Sequence, residues 1–218
     1  MNQNKNLYLI SGLGADKRAY QNLDLSQFQF QHLDWLAPNR NEELSVYAKR
    51  FSKLIVHDQP IIVGLSFGGI VAIEVAKHIP DSKLILISSI KTKFELPKIY
   101  RFFGALRVNK LVPSFLFKRN KWLLIKAFGI KDKASKRLLK AIINETDAAF
   151  LKWAIDKIVH WNNEKLPDRI SHIHGTSDKI FPISNISDVV TVNGGGHFMV
   201  FDRADEVTEL LHQAILKD

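Results

Sequence analysis

The segment Pro60-Ile61-Ile62-Val63-Gly64-Leu65-Ser66-Phe67-Gly68-Gly69 most constrains what this chain can fold into. A β-branched run suited to a buried strand flows into Gly64-x-Ser66-x-Gly68. It continues into Ile70-Val71-Ala72-Ile73-Glu74-Val75-Ala76-Lys77, which is apolar almost all round and suits a buried helix. A strand that turns sharply into a helix around a serine leaves room only for small residues two positions to either side. The expected product is an elbow, with a strand over Pro60 to Ser66, a helix over about Gly68 to His78, and the Ser66 hydroxyl thrust clear of the sheet. The helix start would aim N–H groups and the positive end of its dipole at any anion forming beside Ser66.

A serine hydroxyl is a poor nucleophile at neutral pH, so chemistry at such a tip needs a base to take its proton and a third group to hold that base. Two late segments offer them. Ile170-Ser171-His172-Ile173-His174 reads as a short strand running into a polar loop with Asp178 and Pro182; Asp188 to Val192 reads as another, followed by Asn193-Gly194-Gly195-Gly196-His197. Ser66, Asp178 and His197 thus follow one another in the order nucleophile, acid, base, with Asp202 as the second candidate for the acid. His172 and His174 alternate on their strand, but no carboxylate or cysteine set joins them at metal-ligand spacing, so His174 is expected to pack or hydrogen-bond beneath the acid loop. His57, His78 and His212 read as surface or capping residues, and His160 as a remote candidate for the pocket.

Elsewhere strands and helices alternate as a parallel sheet with crossover helices demands. Strands are predicted over Asn6 to Gly12, Phe28 to Asp34 and Lys83 to Ile90, an amphipathic helix over Glu43 to His57, and a closing helix over Ala204 to Leu216. Between Ile90 and Arg169 the pattern changes to helix after helix. Breakers at Pro97, Pro113 and Gly129 and polar caps at Asp132 and Asp147 divide it into about four.

With these motifs in place, the chain resembles the α/β-hydrolase fold family, in its compact form with a helical lid. The resemblance is carried by the elbow, by His174-Gly175-Thr176-Ser177-Asp178-Lys179-Ile180-Phe181-Pro182, by Gly196-His197-Phe198-Met199, and by the first strand and its loop, Leu7 to Asp16, where Ser11 stands in the place of a frequent histidine. It implies a mainly parallel sheet of about six strands flanked by helices, built from residues 1–90 and 167–218, with a lid of residues 91–166 inserted after the fourth strand. It also implies a catalytic set of Ser66, Asp178 and His197 and an oxyanion hole of the Leu13 and Phe67 N–H groups. Phe198 and Met199, and Phe67 by its side chain, are candidates for the pocket wall or equally for the core. The implied chemistry is two-step hydrolysis of an ester or thioester with an apolar acyl or alkyl part, needing no cofactor or metal. A carbon–carbon bond hydrolase on the same triad, or an inert small-molecule binding protein, fits the same motifs.

Composition bounds the partners. The 218 residues are enough for one sizeable core. There is no cysteine, no leader-like start and no run approaching the roughly eighteen apolar residues of a bilayer span, so a soluble cytoplasmic protein is expected. Residues 91–165 hold 18 Lys+Arg against 6 Asp+Glu, a net +12, leaving 13 against 16, or −3, for the rest. This basic insertion has three readings: solvated helix faces, steering of an anionic substrate, or contact with an acidic membrane surface. In the last, Phe102, Phe103, Phe115, Phe117 and Trp122 would be anchors beside Arg101, Lys118, Arg119 and Lys121. No nucleic-acid reading motif accompanies it. The oligomeric state is not legible.

Overall fold

A computed structural model describes residues 5–106 and 121–217. Six strands, β1 (Asn6–Ile10), β2 (Gln29–Leu33), β3 (Ile61–Leu65), β4 (Lys83–Ile87), β5 (Ile170–Gly175) and β6 (Val190–Val192), form one sheet in the order β2-β1-β3-β4-β5-β6. Every pairing is parallel, as expected. The period of two sorts side chains between two cores. Leu7, Leu9, Val63, Ile85 and Ile87 join the layer on one face, and Tyr8, Ile10, Ile62, Leu84 and Leu86 the layer on the other.

The first layer is closed by α8 (Ala204–Leu216) through Val207, Leu211 and Ile215, the second by α1 (Leu44–Ser52) and α2 (Phe67–Ala76). Every residue of α2 is buried, which explains why it is apolar on all sides. Two expected elements stop early for local reasons. After Ser52 the chain tightens into i to i−3 hydrogen bonds (Leu54 N–H to Phe51, Ile55 N–H to Ser52), so α1 does not reach His57, whose Nδ1 meets the Tyr8 hydroxyl at 2.6 Å. β4 ends at Ile87 because Ser88 takes a φ of 47°, outside strand geometry.

Between β4 and β5 the described residues form four helices: α3 (Lys98–Ala105), α4 (Lys121–Ala127), α5 (Lys133–Glu145) and α6 (Ala148–Val159). The expected caps are in place: Asp132 accepts the Ser135 N–H at 2.8 Å and Asp147 the Phe150 N–H at 2.7 Å. Pro97 precedes α3, and Gly129, with φ of 75°, follows α4. Pro113, Phe115, Phe117, Lys118 and Arg119 lie outside the described residues. Among the described residues no helix is long and apolar enough to cross a membrane. A short helix, α7 (Met199–Asp202), precedes α8.

The chain runs from β1 outward to β2, then returns past β1 to β3 and builds away on the other side. In open parallel sheets such a reversal leaves a crevice beyond the carboxyl ends of the strands. The loop after β1 and the elbow after β3 both open there.

Candidate active site

Ser66 sits between β3 and α2 with φ 53° and ψ −120°, a conformation that L-residues avoid. Its flanking glycines are required by contact with backbone. A Cβ on Gly64 would lie 2.5 Å from the Gly69 Cα, and one on Gly68 would lie 2.3 Å from the carbonyl oxygens of Ile10 and Ser11. The strained turn is held from both sides, the Ser66 N–H donating to the Ile87 carbonyl at 2.9 Å and the Ser89 hydroxyl to the Ser66 carbonyl at 2.7 Å.

From this tip a line of hydrogen bonds runs to the late loops. The Ser66 Oγ lies 2.8 Å from His197 Nε2, and His197 Nδ1 lies 2.7 Å from Asp178 Oδ2. With Nδ1–H donating to the carboxylate, Nε2 is left to accept the serine proton. The other carboxylate oxygen accepts the N–H groups of Ile180 (2.8 Å) and Phe181 (2.9 Å), so the acid is clamped by its own loop. Burial pushes the Asp178 carboxyl up. The His197 imidazole, through its charge and hydrogen bond, with His174 and the Phe181 N–H adding, outweighs this and brings it below the ordinary aspartate value.

His174 lies beneath the acid loop. Its Nε2–H donates to the Phe181 carbonyl at 2.8 Å, and its Nδ1 accepts from His172 Nε2 at 3.2 Å. Burial holds both imidazoles below the usual histidine range, His172 well below, so the pair is neutral at pH 7. Asp202, the second candidate for the acid, is exposed on α7, and His197 Nδ1 is engaged with Asp178 instead. His160 caps α6, bonding the Asp156 carbonyl, and does not reach the site.

Two N–H groups face the problem of unmet donors. Phe67 is the first residue of α2, where a helix leaves its N–H without an intrahelical acceptor. Among the described residues neither that N–H nor the N–H of Leu13 has a hydrogen-bond partner. The Leu13 loop is braced by Ser11, whose hydroxyl donates to the Asp16 carbonyl at 2.8 Å and meets His32 Nε2 at 2.8 Å, so serine fits at this position. The Phe67 ring itself belongs to the core, stacked on Trp35 at 5.5 Å between centroids.

Over Ser66 lies a cavity of about 410 Å³. Gly12, Leu13, Ser66, His197 and Phe198 form its floor, and the helical insertion supplies walls through Tyr100, Leu124, Phe128, Ile142, Leu151 and Ile155. Of the two pocket candidates after His197, Phe198 lines this space and Met199 does not. Met199 opens α7 with its side chain turned into the core beside Val192, where its sulfur packs against Gly195. The missed wall residues carried no motif, because a leucine facing a cavity and one facing a core look alike in sequence.

Phe128 meets the His197 ring edge-on at 4.9 Å, and Phe181 meets it at 5.5 Å. These rings fix the imidazole plane and shed water from it. The insertion also touches the histidine loop by backbone. A Cβ on Gly196 would lie 2.7 Å from the Phe128 carbonyl oxygen, so only glycine admits this approach.

A model described as the alpha/beta hydrolase family matches residues 7–210. No curated protein sequence matches the chain. Among solved structures, an esterase from Thermogutta terrifontis superposes with a TM-score of 0.69 at 16% identity, over 96% of this chain and 88% of that one. An esterase from Exiguobacterium antarcticum does so with 0.70 at 13%, over 100% and 94%. A bromoperoxidase from Bacillus anthracis gives 0.65 at 15%, over 99% and 93%. At such identities the likeness is one of fold.

Proposed function

Because the chain belongs to the alpha/beta hydrolase family, we propose that it is a serine hydrolase cleaving a carboxylic ester or thioester through an acyl-enzyme. The observation that carries this reading is the unbroken line from Ser66 Oγ through His197 to Asp178, at 2.8 Å and 2.7 Å, opening on a cavity. In the first step His197 Nε2 takes the Ser66 proton as Oγ attacks the carbonyl carbon. The carbonyl oxygen becomes an oxyanion, and the unpartnered N–H groups of Leu13 and Phe67 are the donors available to it. The imidazolium then gives its proton to the leaving oxygen or sulfur as the bond to carbon breaks. Water repeats the sequence, with His197 as base, and releases the acid and the free serine. Asp178 keeps the Nδ1–H tautomer and stabilises the imidazolium.

The cavity wall supports an apolar acyl or alkyl group. Among the described residues its lining is almost wholly aliphatic and aromatic and includes no lysine or arginine. The described basic side chains of the insertion therefore act outside the pocket. Leu124 on α4 and Phe128 just after it face the cavity while Trp122 and Leu123 of α4 are exposed beside Lys126, which supports a peripheral contact with an anionic lipid surface from which an apolar ester would be drawn.

Incubation with a fluorophosphonate followed by mass spectrometry tests the assignment. One adduct on Ser66 is expected. Ser66→Ala should lose both the adduct and on the order of 10⁶-fold in ester turnover. A purified Ser66→Ala protein with parental turnover would overturn the reading.

A further inference from the structure

The chain contains four tyrosines, and three have committed their hydroxyls. Tyr8 bonds His57 and the Val56 N–H, Tyr20 donates to the Ile10 carbonyl, and Tyr47 joins the Leu36 backbone. Tyr100 alone has no hydrogen-bond partner among the described residues, and it stands on the wall of the cavity. Tyr100 is half-buried there, so its unpartnered hydroxyl is a donor left for whatever enters the cavity.

The position of Tyr100 is built. It lies four residues before Gly104 on α3, so the two share a helix face. Gly104 lets α3 close onto α6 so tightly that a Cβ there would sit 2.9 Å from the Val159 carbonyl oxygen. That contact seats the Tyr100 ring against the apolar layer near Ile158 and Ile180. The other polar side chains of the wall are occupied: Ser66 and His197 bond each other, and the Thr146 hydroxyl donates to the Ile142 carbonyl at 2.6 Å.

We infer that Tyr100 is a specificity-determining residue whose hydroxyl donates a hydrogen bond to a neutral acceptor oxygen on the substrate, separate from the scissile carbonyl. The substrate class is then an otherwise apolar ester bearing one keto or hydroxyl oxygen. Burial, with the negative charge of Asp178 adding, pushes the phenol pKa up, so the group is a neutral donor at pH 7. A charged acceptor fits poorly. A carboxylate would lose its hydration in a wall whose described residues offer no cation, near the Asp178 charge, and a single phenol does not offset that cost. The inference rests on the hydrolase reading for where the ester lies, while the hydrogen bond is testable without turnover.

The test uses the full chain in a Ser66→Ala background, with and without Tyr100→Phe. The ligands are methyl esters of one medium chain length, either plain or carrying a single keto oxygen at successive positions, and calorimetry gives the Kd of each. Without Tyr100→Phe, at least one keto position should bind tighter than the plain ester by roughly three- to tenfold, the factor one neutral hydrogen bond carries. Tyr100→Phe should abolish that ratio. Equal ratios in the two proteins, or no favoured position, would overturn the inference. Fluorophosphonate labelling of the parent separates this from the hydrolase reading: an unlabelled parent that still shows a Tyr100-dependent preference would discard the chemistry and keep the subsite.

Discussion

Ser66 holds a backbone conformation that costs on the order of 1–3 kcal/mol for a residue with a Cβ, and the price is met by the packing of β3, α2 and the Ser89 hydroxyl around it. Glycine relieves that strain at the expense of a floppier unfolded chain, an offset of about 0.4–1 kcal/mol. Ser66→Gly is therefore expected to be about 1 kcal/mol more stable than Ser66→Ala, roughly 2–4 °C in Tm for a chain of this size, though both lose the proposed nucleophile. Equal melting temperatures in calorimetry would mean that the strain is no larger than the glycine offset of about 0.4–1 kcal/mol. At this scale the sequence was most legible where chemistry restricts residue type. Ser66, Asp178 and His197 stand out because glycines, a polar loop and a proline frame them. Whether Met199 lines the pocket or the core is not encoded there, because adjacency to His197 says nothing about which way a side chain turns once α7 begins.

Among the elements, strands and caps could be read closely. The closing helix Ala204–Leu216 has the predicted limits, and Asp132 and Asp147 cap as their position suggests. The ends of α1 and β4 could not be read, since they depend on a 3₁₀ turn at Leu54 and a positive φ at Ser88 that periodicity does not encode. Nor could the cavity wall, because Leu139 and Ile142 serve both cavity and core with the same helical spacing. α4 is unusual in burying none of its residues although it reads Trp-Leu-Leu-Ile. If its outer face meets lipid, the parent should sediment with vesicles rich in phosphatidylserine, and Trp122→Glu with Leu123→Glu should weaken that binding by at least about tenfold. A parent protein that stays in the supernatant would leave the exposed face without a lipid role.

For the molecule as a whole, the neutral buried pair His172 and His174 ties stability to pH. Both have folded pKa values lowered from about 6.5, so above that value neither state is protonated and the fold is unaffected. As pH falls below it the unfolded chain takes up protons that the folded chain refuses, and stability declines. Each such histidine contributes up to about 1.4 kcal/mol per pH unit. Urea unfolding between pH 7.5 and 5.0 should show this decline, and His172→Leu should remove about half of the slope. An unchanged slope would mean that His172 takes up its proton alike in the folded and unfolded chain.

Ser66 and His197, the base of the proposed chemistry, are 131 residues apart in the chain, with the whole helical insertion between them. On a ribosome adding roughly 5–20 residues per second, the serine is made on the order of ten seconds before the imidazole that would activate it. Until then its hydroxyl is an ordinary alcohol. On the proposed chemistry, a half-made chain with the elbow already folded cannot acylate itself or its surroundings, and reactivity would be switched on only when the last fifth of the sequence arrives.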